Sequence, residues 1–320
     1  MYKKIFAAVM GLILAISAAG CSKTQQPSSK GIKVVCATAP LFDWTGKITE
    51  GTDGTDLSLI IGNGTDLHSF QPSAKDIISI KNADVLVYVG GESDGWIRDA
   101  LKETSNKNQQ VVCLMDILKD AIVEEEVVEG MQGEEDGHEE HDHEEGPEYD
   151  EHVWMSLRLA GRACKAIEEA LEKVSSKDAA KYRANLDAYL AKLTELDRQY
   201  EDMVKSARLD TMIVCDRYPF RYLAEDYKLK YSAAFVGCSA ETEASFETVK
   251  FLADKVKSLD PKAVLIIDNS DGKLAKTVLE TAGKSSVKVE VLDSMQSCGP
   301  ELDYIKTMTD NLEKLKTALS

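Results

Sequence analysis

Residues 57–90, LSLIIGNGTDLHSFQPSAKDIISIKNADVLVYVG, decide the fold because they predict a strand, a loop, a helix and a second strand. The runs 57–61 and 84–90 are almost wholly apolar, as is typical of strands in a parallel sheet that is covered on both faces. Between them, Ser73 is placed to cap a helix, and Asp76 three residues later provides a capping-box partner. The stretch is therefore predicted to be one strand–helix–strand unit of an α/β protein.

The same kind of apolar run recurs along the chain. The further strand-like runs are 32–39, 110–115, 211–216, 231–237, 263–268 and 287–293. Helical patterns lie between the runs, for example over 95–103, 243–259 and 272–282. We therefore predict an α/β fold of two four-stranded parallel-sheet lobes, with helices on both faces of each sheet.

One long α-helix is predicted to join the lobes over residues 176–207. Its apolar side chains follow one another at alternating gaps of four and three, which places them on a single stripe: Tyr182, Leu186, Tyr189, Leu193, Leu196 and Tyr200. A short coiled-coil seam has the same spacing, but a stiff connector packed on its own lobes is favoured because the stripe is shorter than about three heptads. The lobes are then residues 31–175 and 208–320.

The N-terminus has the pattern of an export signal. Lys3 and Lys4 precede an apolar stretch over 5–19, which at about 15 residues is too short for a permanent membrane span. Small residues directly before Cys21 resemble a bacterial lipoprotein box, so residues 1–21 are predicted to be a lipoprotein signal peptide with lipidation at Cys21. Cleavage as an ordinary signal near Gly20 is the alternative. Residues 22–30 are polar and are predicted to be a flexible tether.

The charge of the chain is concentrated in one segment. The net charge is −17, which argues against nucleic acid as a partner. Residues 124–151 contain 15 Asp or Glu and no Lys or Arg, so subtracting those 15 charges from −17 leaves −2 for the other residues. This composition predicts a loop without packed structure. Its three histidines, His138, His141 and His143, predict weak accessory sites for divalent metals.

Two histidines lie outside the acidic segment, and both are candidate metal ligands. His68 follows a predicted strand and precedes a helix, at the edge of a sheet where ligands bind in α/β folds. His152 stands beside Val153 and Trp154, and imidazole in such dry surroundings is a good ligand for Zn²⁺, Mn²⁺ or Fe²⁺. Carboxylates that end strands in the second lobe are candidates to complete the shell: Asp216, Asp268 and Asp293.

The cysteines other than Cys21 receive no functional assignment. They are widely spaced and form no CxxC pair, which excludes a cysteine zinc knuckle. Cys36, Cys113 and Cys215 lie in predicted strands, where a cysteine is most often a small buried apolar residue. A disulfide is possible in an exported protein, but the sequence does not pair the six.

Three motifs resemble the zinc and manganese ABC-transporter solute-binding proteins. They are DLHSFQPSAKDIISIKNADVLVYVGGESDGWI at 66–97, the His-rich acidic loop followed by DEHVWMS at 150–156, and the long helix. The resemblance covers residues 31–319. It implies a metal site between the two lobes, with His68 and His152 at the first two ligand positions.

The resemblance also bears on the remaining ligands. It places Arg217, in CDRYPFRYLAEDY, where the family has a His or Glu, and an arginine stays protonated and cannot bind a cation. Either Asp216 beside it is the third ligand, or the site uses fewer protein ligands plus water. Asp293 matches the fourth position, and Glu243 matches a loop near the cleft and, with Asp268, is a possible additional ligand.

The resemblance implies a lipid-anchored, monomeric receptor on the extracytoplasmic face of the cell membrane. It would bind a divalent metal, with zinc first and manganese or iron second, deliver it to an ABC permease and catalyse no reaction. Two alternatives from other classes stay open. One is an exported metalloenzyme, in which the metal activates water, and the other is a surface adhesin that uses the same fold.

Overall fold

The computed structural model describes residues 31–62, 64–104, 106–133, 148–239 and 243–320. Residues Ile32–Ser320 form one compact unit. The predicted lipidation site Cys21, the tether 22–30 and the loop histidines His138, His141 and His143 lie outside the described residues.

The first lobe is built on a four-stranded parallel sheet in the order β2-β1-β3-β4. Its strands are β1 (Ile32–Cys36), β2 (Thr55–Leu59), β3 (Val85–Tyr88) and β4 (Gln110–Cys113). Every residue of the central strand β3 is buried, whereas burial alternates along the edge strand β2. This difference follows from position, since a central strand of a covered parallel sheet has no solvent face.

The second lobe repeats the arrangement, with a parallel sheet in the order β6-β5-β7-β8. Its strands are β5 (Thr211–Tyr218), β6 (Lys230–Val236), β7 (Ala263–Ile267) and β8 (Lys288–Leu292). The predicted fold class is therefore confirmed.

Ten α-helices are present in the part of the chain that the structure describes. They are α1 (Ala39–Thr49), α2 (Ala74–Lys81), α3 (Trp96–Lys102), α4 (Leu114–Ile117), α5 (Leu157–Val174), α6 (Ala179–Ser206), α7 (Arg221–Tyr227), α8 (Phe246–Leu259), α9 (Lys273–Ala282) and α10 (Tyr304–Ala318). At the start of α2, Ser73 and Asp76 form the predicted capping box. Among the described residues, no helix has the length and apolar character that crossing a membrane requires.

The linking helix α6 runs for 28 residues, or about 42 Å, after a 3₁₀ turn at Ser176–Asp178. All six residues of the predicted stripe are buried, and Met203 extends it. Hydrogen bonds fasten the helix to both lobes: Asn185 donates to the Ile48 carbonyl at the end of α1, and the Tyr200 hydroxyl donates to the Met308 carbonyl in α10. The packed stripe and these bonds favour a rigid connector.

The expectation of an unpacked loop over 124–151 is wrong for the described ends of that segment. Glu124 pairs with Tyr149 in an antiparallel bridge, and the Gln132 N–H donates to the Ala234 carbonyl of β6. Asp150 and Glu151 are each only 2% exposed. Composition misleads here because these two carboxylates are buried against histidines, as described below, and are not solvated.

Candidate metal centre

The loop that follows β2 positions His68. The residue lies in a 3₁₀ turn, Leu67–Ser69, that the Asp66 carboxylate caps by accepting the His68 backbone N–H at 3.0 Å. Leu67 is buried in the core and anchors the turn. The His68 side chain is thereby held, 13% exposed, at the carboxyl edge of the first sheet.

A second 3₁₀ turn, Val153–Met155, positions His152 directly before it. The Trp154 indole N–H donates to the Ser294 carbonyl at 2.9 Å, and the Tyr304 hydroxyl donates to the Trp154 carbonyl at 2.6 Å. Both partners belong to the second lobe, so the turn is fixed between the lobes. The His152 side chain is fully buried.

The structure brings the two histidines together. Their Nε2 atoms lie 3.3 Å apart. Two nitrogens that each lie about 2.0–2.1 Å from one tetrahedral zinc ion are separated by about 3.3–3.4 Å. The observed spacing between the two nitrogens therefore fits two ligands of a single zinc ion.

Asp150 orients the His152 ring. One carboxylate oxygen, Oδ1, accepts both the His152 backbone N–H at 2.8 Å and its ring Nδ1–H at 3.0 Å. Because a carboxylate only accepts, it keeps the proton on Nδ1 and leaves the Nε2 lone pair free for a metal. Burial alone would lower the pKa of His152, but the charge and hydrogen bond of Asp150 raise it overall.

A relay of hydrogen bonds orients His68 in the same way. Its Nδ1 lies 2.7 Å from the Ser93 hydroxyl and 3.2 Å from Glu151 Oε1, and Ser93 in turn donates to Glu151. A Cβ on Gly91 would overlap the Glu151 carboxylate, so glycine is required where this backbone passes. Burial would raise the pKa of Glu151, but its hydrogen bond to His68 and the nearby His152 lower it.

Cys238 is the third residue at this point. Its Sγ and one ring nitrogen of each histidine all lie within 4.8 Å of one another. Among the residues that the structure describes, this is the only cluster of three or more His, Cys, Asp or Glu side chains that could hold a metal ion. Burial, followed by the charges of Glu151 and Glu125, raises the pKa of the Cys238 thiol.

The Gln296 amide faces both histidines. Its Nε2 lies 2.9 Å from His68 Nε2 and 2.5 Å from His152 Nε2, while its Oε1 lies 3.2 Å from the Ser294 hydroxyl oxygen. An amide NH₂ donates to both rings only if both Nε2 atoms are unprotonated. The contacts of Gln296 therefore agree with the proton positions set by Asp150 and Glu151.

Arg217 is engaged in an ion pair across the cleft. Its guanidinium donates to Asp66 Oδ2 at 2.7 Å, so the loop that carries His68 in the first lobe is tied to β5 in the second. Burial would raise the pKa of Asp66, but the hydrogen bond and charge of Arg217 lower it overall. The arginine therefore positions the His68 loop.

The predicted carboxylate ligands lie elsewhere in the second lobe. Asp216, Glu243 and Asp268 line a cavity of about 970 Å³, to which His68 and Cys238 also contribute. Asp216 Oδ1 accepts the Arg217 backbone N–H, and Asp268 Oδ1 accepts both the N–H and the hydroxyl of Ser294. These three acids thus lie beside His68 in the cavity, and none of them belongs to the group formed by His68, His152 and Cys238.

Asp293 is not among the residues that line this cavity. Its Oδ1 accepts the Met295 N–H at 2.8 Å, and its backbone is bonded to Asn311 in α10. Burial and the charge of Asp268 raise the pKa of Asp293, as burial raises that of Asp216. Neither residue is grouped with His68 and His152.

Sequence reasoning missed the residues that support the histidines, and some of them carried a signal. Asp150 and Glu151 directly precede His152 but were counted with the solvated loop. Cys238 comes two residues after β6 ends, at the sheet edge where ligands were expected. Ser93 and Gln296 carried no signal, because only the fold brings them to the site.

Comparison with known proteins identifies the family. The profile of the family described as zinc-uptake complex component A, periplasmic (ZnuA), matches residues 34–318. The chain belongs to the ZnuA family. This confirms the resemblance drawn from the motifs around His68 and His152.

Individual ZnuA-family proteins align over nearly the whole chain. The high-affinity zinc uptake system protein ZnuA of Bacillus subtilis is 30% identical over 97% of this chain and 96% of its own length. The zinc-binding lipoprotein AdcA of Streptococcus pneumoniae (strain R6) is 28% identical over 96% of this chain, which spans 60% of AdcA. This chain spans about three fifths of the length of the first AdcA relatives it matches.

A solved ZnuA-family structure has the same architecture. The Zn(II)-bound ZnuA-like domain of Streptococcus pneumoniae AdcA superposes with a TM-score of 0.70 at 26% identity, covering 90% of this chain and 99% of that domain.

Proposed function

We propose that this protein is an extracytoplasmic receptor that binds one zinc ion between its lobes and delivers it to an ABC permease. The observation that carries the proposal is the pair of Nε2 atoms 3.3 Å apart, each on a ring whose Nδ1 is held by an acidic network. Imidazoles fixed in this tautomer are preorganised zinc ligands. The names of the relatives, zinc-binding AdcA and zinc-uptake ZnuA, support the same cargo.

The architecture suits capture and release better than catalysis. His152 is fully buried, and the linking helix is bonded to both lobes, so the site has little freedom to rearrange by itself. Release then requires the permease to favour a state of the receptor that binds zinc less well. The acidic cavity beside His68 provides a path of negative charge that attracts the cation toward the site.

The binding step is tested by calorimetric titration of the purified, metal-stripped protein with zinc. We expect one tight site in the wild-type protein and a loss of zinc affinity of at least about 100-fold in His68→Ala and in His152→Ala. Removing a residue that only hydrogen-bonds to a ligand costs about 10–100-fold, so removing the ligand itself should cost at least the upper value. The matched control replaces His138, His141 and His143 with alanine and should keep the tight site. Unchanged tight binding in both single variants would refute the proposal.

The transport step needs a separate experiment. In a strain that lacks the gene for this protein, the wild-type chain should restore growth under zinc limitation, and His152→Ala should not. The proposed lipid anchor is tested in the same strain, because Cys21→Ala should move the protein from the membrane fraction to the soluble fraction. Growth restored equally by His152→Ala would exclude delivery through this site.

A further inference from the structure

The proposed zinc site has two imidazole ligands, and a structural zinc shell normally has four ligands and a catalytic one at least three from the protein. The family's usual third position is taken by Arg217, whose guanidinium is bonded to Asp66. Asp216 beside it is bonded to a backbone N–H and lies outside the histidine group. Neither Arg217 nor Asp216 is therefore placed to be the third protein ligand.

We propose that Cys238 Sγ is the third protein ligand and that this sulfur makes the site selective for zinc over manganese. The inference rests on the proposed function, since it concerns the same metal site. A sulfur and a nitrogen bound to one tetrahedral zinc lie about 3.6 Å apart, given bonds of about 2.3 and 2.0–2.1 Å. Sγ lies within 4.8 Å of one ring nitrogen of each histidine, so a shift of about 1 Å brings it to this separation and supplies a third ligand.

The backbone before Cys238 is shaped for this approach. A Cβ on Gly237 would lie 3.0 Å from His152 Cε1 and 3.1 Å from the Tyr218 carbonyl oxygen, closer than side chains normally come. Glycine therefore lets the chain pass directly over the His152 ring as it leaves β6. The Cys238 N–H then donates to Glu125 Oε1 at 3.3 Å, which helps to fix the residue.

Cys238 differs from the other described cysteines in its surroundings. Cys36, Cys113, Cys164 and Cys215 are buried. Cys298 is half-buried like Cys238, but its Sγ lies 3.8 Å from Asp293 and is not grouped with the histidines. Cys238 Sγ instead contacts Glu151 Oε1 at 3.9 Å, the carboxylate that also holds His68. It is thus built into the same network as the first two ligands.

Sulfur changes which metal the site prefers. Thiolate ligands favour zinc and other soft or borderline ions, whereas manganese prefers carboxylate and water oxygens. When zinc binds, the Zn–S bond forms, the S–H bond breaks and the proton is released to solvent. A His₂Cys shell accounts for zinc selectivity in a chain that lacks the family's usual third ligand.

The test uses cobalt as a spectroscopic probe for zinc in the purified, metal-stripped protein. The wild-type protein should show visible d–d bands and a near-ultraviolet sulfur-to-cobalt charge-transfer band. Cys238→Ser should keep cobalt bound through the histidines but lose the charge-transfer band, with zinc affinity reduced by at least about 100-fold. Cys298→Ser is the matched control and should behave as the wild type.

The outcomes separate this inference from the proposed function. Wild-type protein that binds cobalt without a charge-transfer band, or a band that persists in Cys238→Ser, overturns the role of Cys238 and leaves the receptor proposal intact. Wild-type protein that binds neither cobalt nor zinc overturns both. Cys238→Asp supplies a second readout, because an oxygen in place of sulfur should raise manganese affinity relative to zinc, and an unchanged ratio would contradict the selectivity.

Discussion

Replacing Asp150 with asparagine removes one negative charge from beside His152 and keeps the shape of the side chain. In the wild-type protein a single oxygen, Oδ1, accepts both the His152 backbone N–H at 2.8 Å and the ring Nδ1–H at 3.0 Å. The asparagine carbonyl oxygen accepts the same two bonds. Asp150→Asn therefore isolates the electrostatic contribution of the carboxylate to metal binding.

The expected loss follows from what such carboxylates do. A carboxylate behind a metal-bound imidazole raises the basicity of the ring, and its removal typically costs about 10–100-fold in metal affinity. Because Asp150 is 2% exposed, solvent screens its charge little, and we expect a loss within this range, or about 1.4–2.7 kcal/mol. The fold should be unaffected, since both hydrogen bonds stay.

The assay is competition for zinc between the metal-stripped protein and a chromophoric chelator. Asp254→Asn is a matched control, because Asp254 forms ion pairs with the surface residues Lys250 and Lys257 of α8 and lies outside the site. The reasoning is refuted if Asp150→Asn binds zinc as tightly as the control while melting at the same temperature. Weaker binding with a lowered melting temperature would instead indicate a structural role for the carboxylate.

Three further predictions concern the cleft, the core and the loop. Arg217→Met breaks the ion pair with Asp66 and should weaken zinc binding about fivefold, since a partly exposed pair contributes about 1 kcal/mol, and stopped-flow release by a chelator should be faster by the same factor. Burial raises the pKa of Asp43 to about 6, above its unfolded value of about 3.9, so the wild-type free energy of unfolding should fall on the order of 2 kcal/mol between about pH 4 and pH 6. Asp43→Asn should reduce this pH dependence of the unfolding free energy, measured by urea titrations at several pH values. An unchanged pH dependence would show that other groups cause it. Replacing residues 134–147 with a Gly-Ser linker should keep the tight zinc site and lower the number of weakly bound zinc ions in equilibrium dialysis, whereas loss of the tight site would contradict an accessory role.

The fold was predictable because its strands and linking helix follow from the local spacing of apolar residues. The apolar runs and the stripe from Tyr182 to Tyr200 each depend on burial of a face at a fixed period, which a single sequence displays. The edge strand β2 runs from Thr55 to Leu59, two residues earlier than the predicted 57–61, because the polar Thr55 and Asp56 pair with β1 through the backbone. Periodicity does not report such backbone pairing.

The site was predictable only where its residues were rare or stood at strand ends. His68 and His152 were found because the chain has two histidines outside the acidic segment. Asp216 and Asp293 are predicted ligands because they end apolar runs, but β5 continues past Asp216 to Tyr218, and both carboxylates accept backbone N–H groups. That competition between a backbone donor and a metal depends on local geometry, which the sequence does not express.

The acidic segment shows that the charge of a segment does not predict the burial of its individual residues. A run of acids predicts a solvated loop, yet Asp150 and Glu151 are buried because two histidines compensate their desolvation. One of these partners, His68, is more than 80 residues away in the chain. Composition alone does not reveal that such a pairing exists.

The central claim is that one zinc ion is held between the lobes by His68, His152 and Cys238. The zinc X-ray absorption spectrum of the purified protein with one equivalent of zinc tests it most directly. We predict two imidazole nitrogens at about 2.0–2.1 Å and one sulfur at about 2.3 Å, with one imidazole lost in His68→Ala and the sulfur lost in Cys238→Ser. A shell of oxygen atoms alone, or a spectrum that neither substitution changes, would contradict the account.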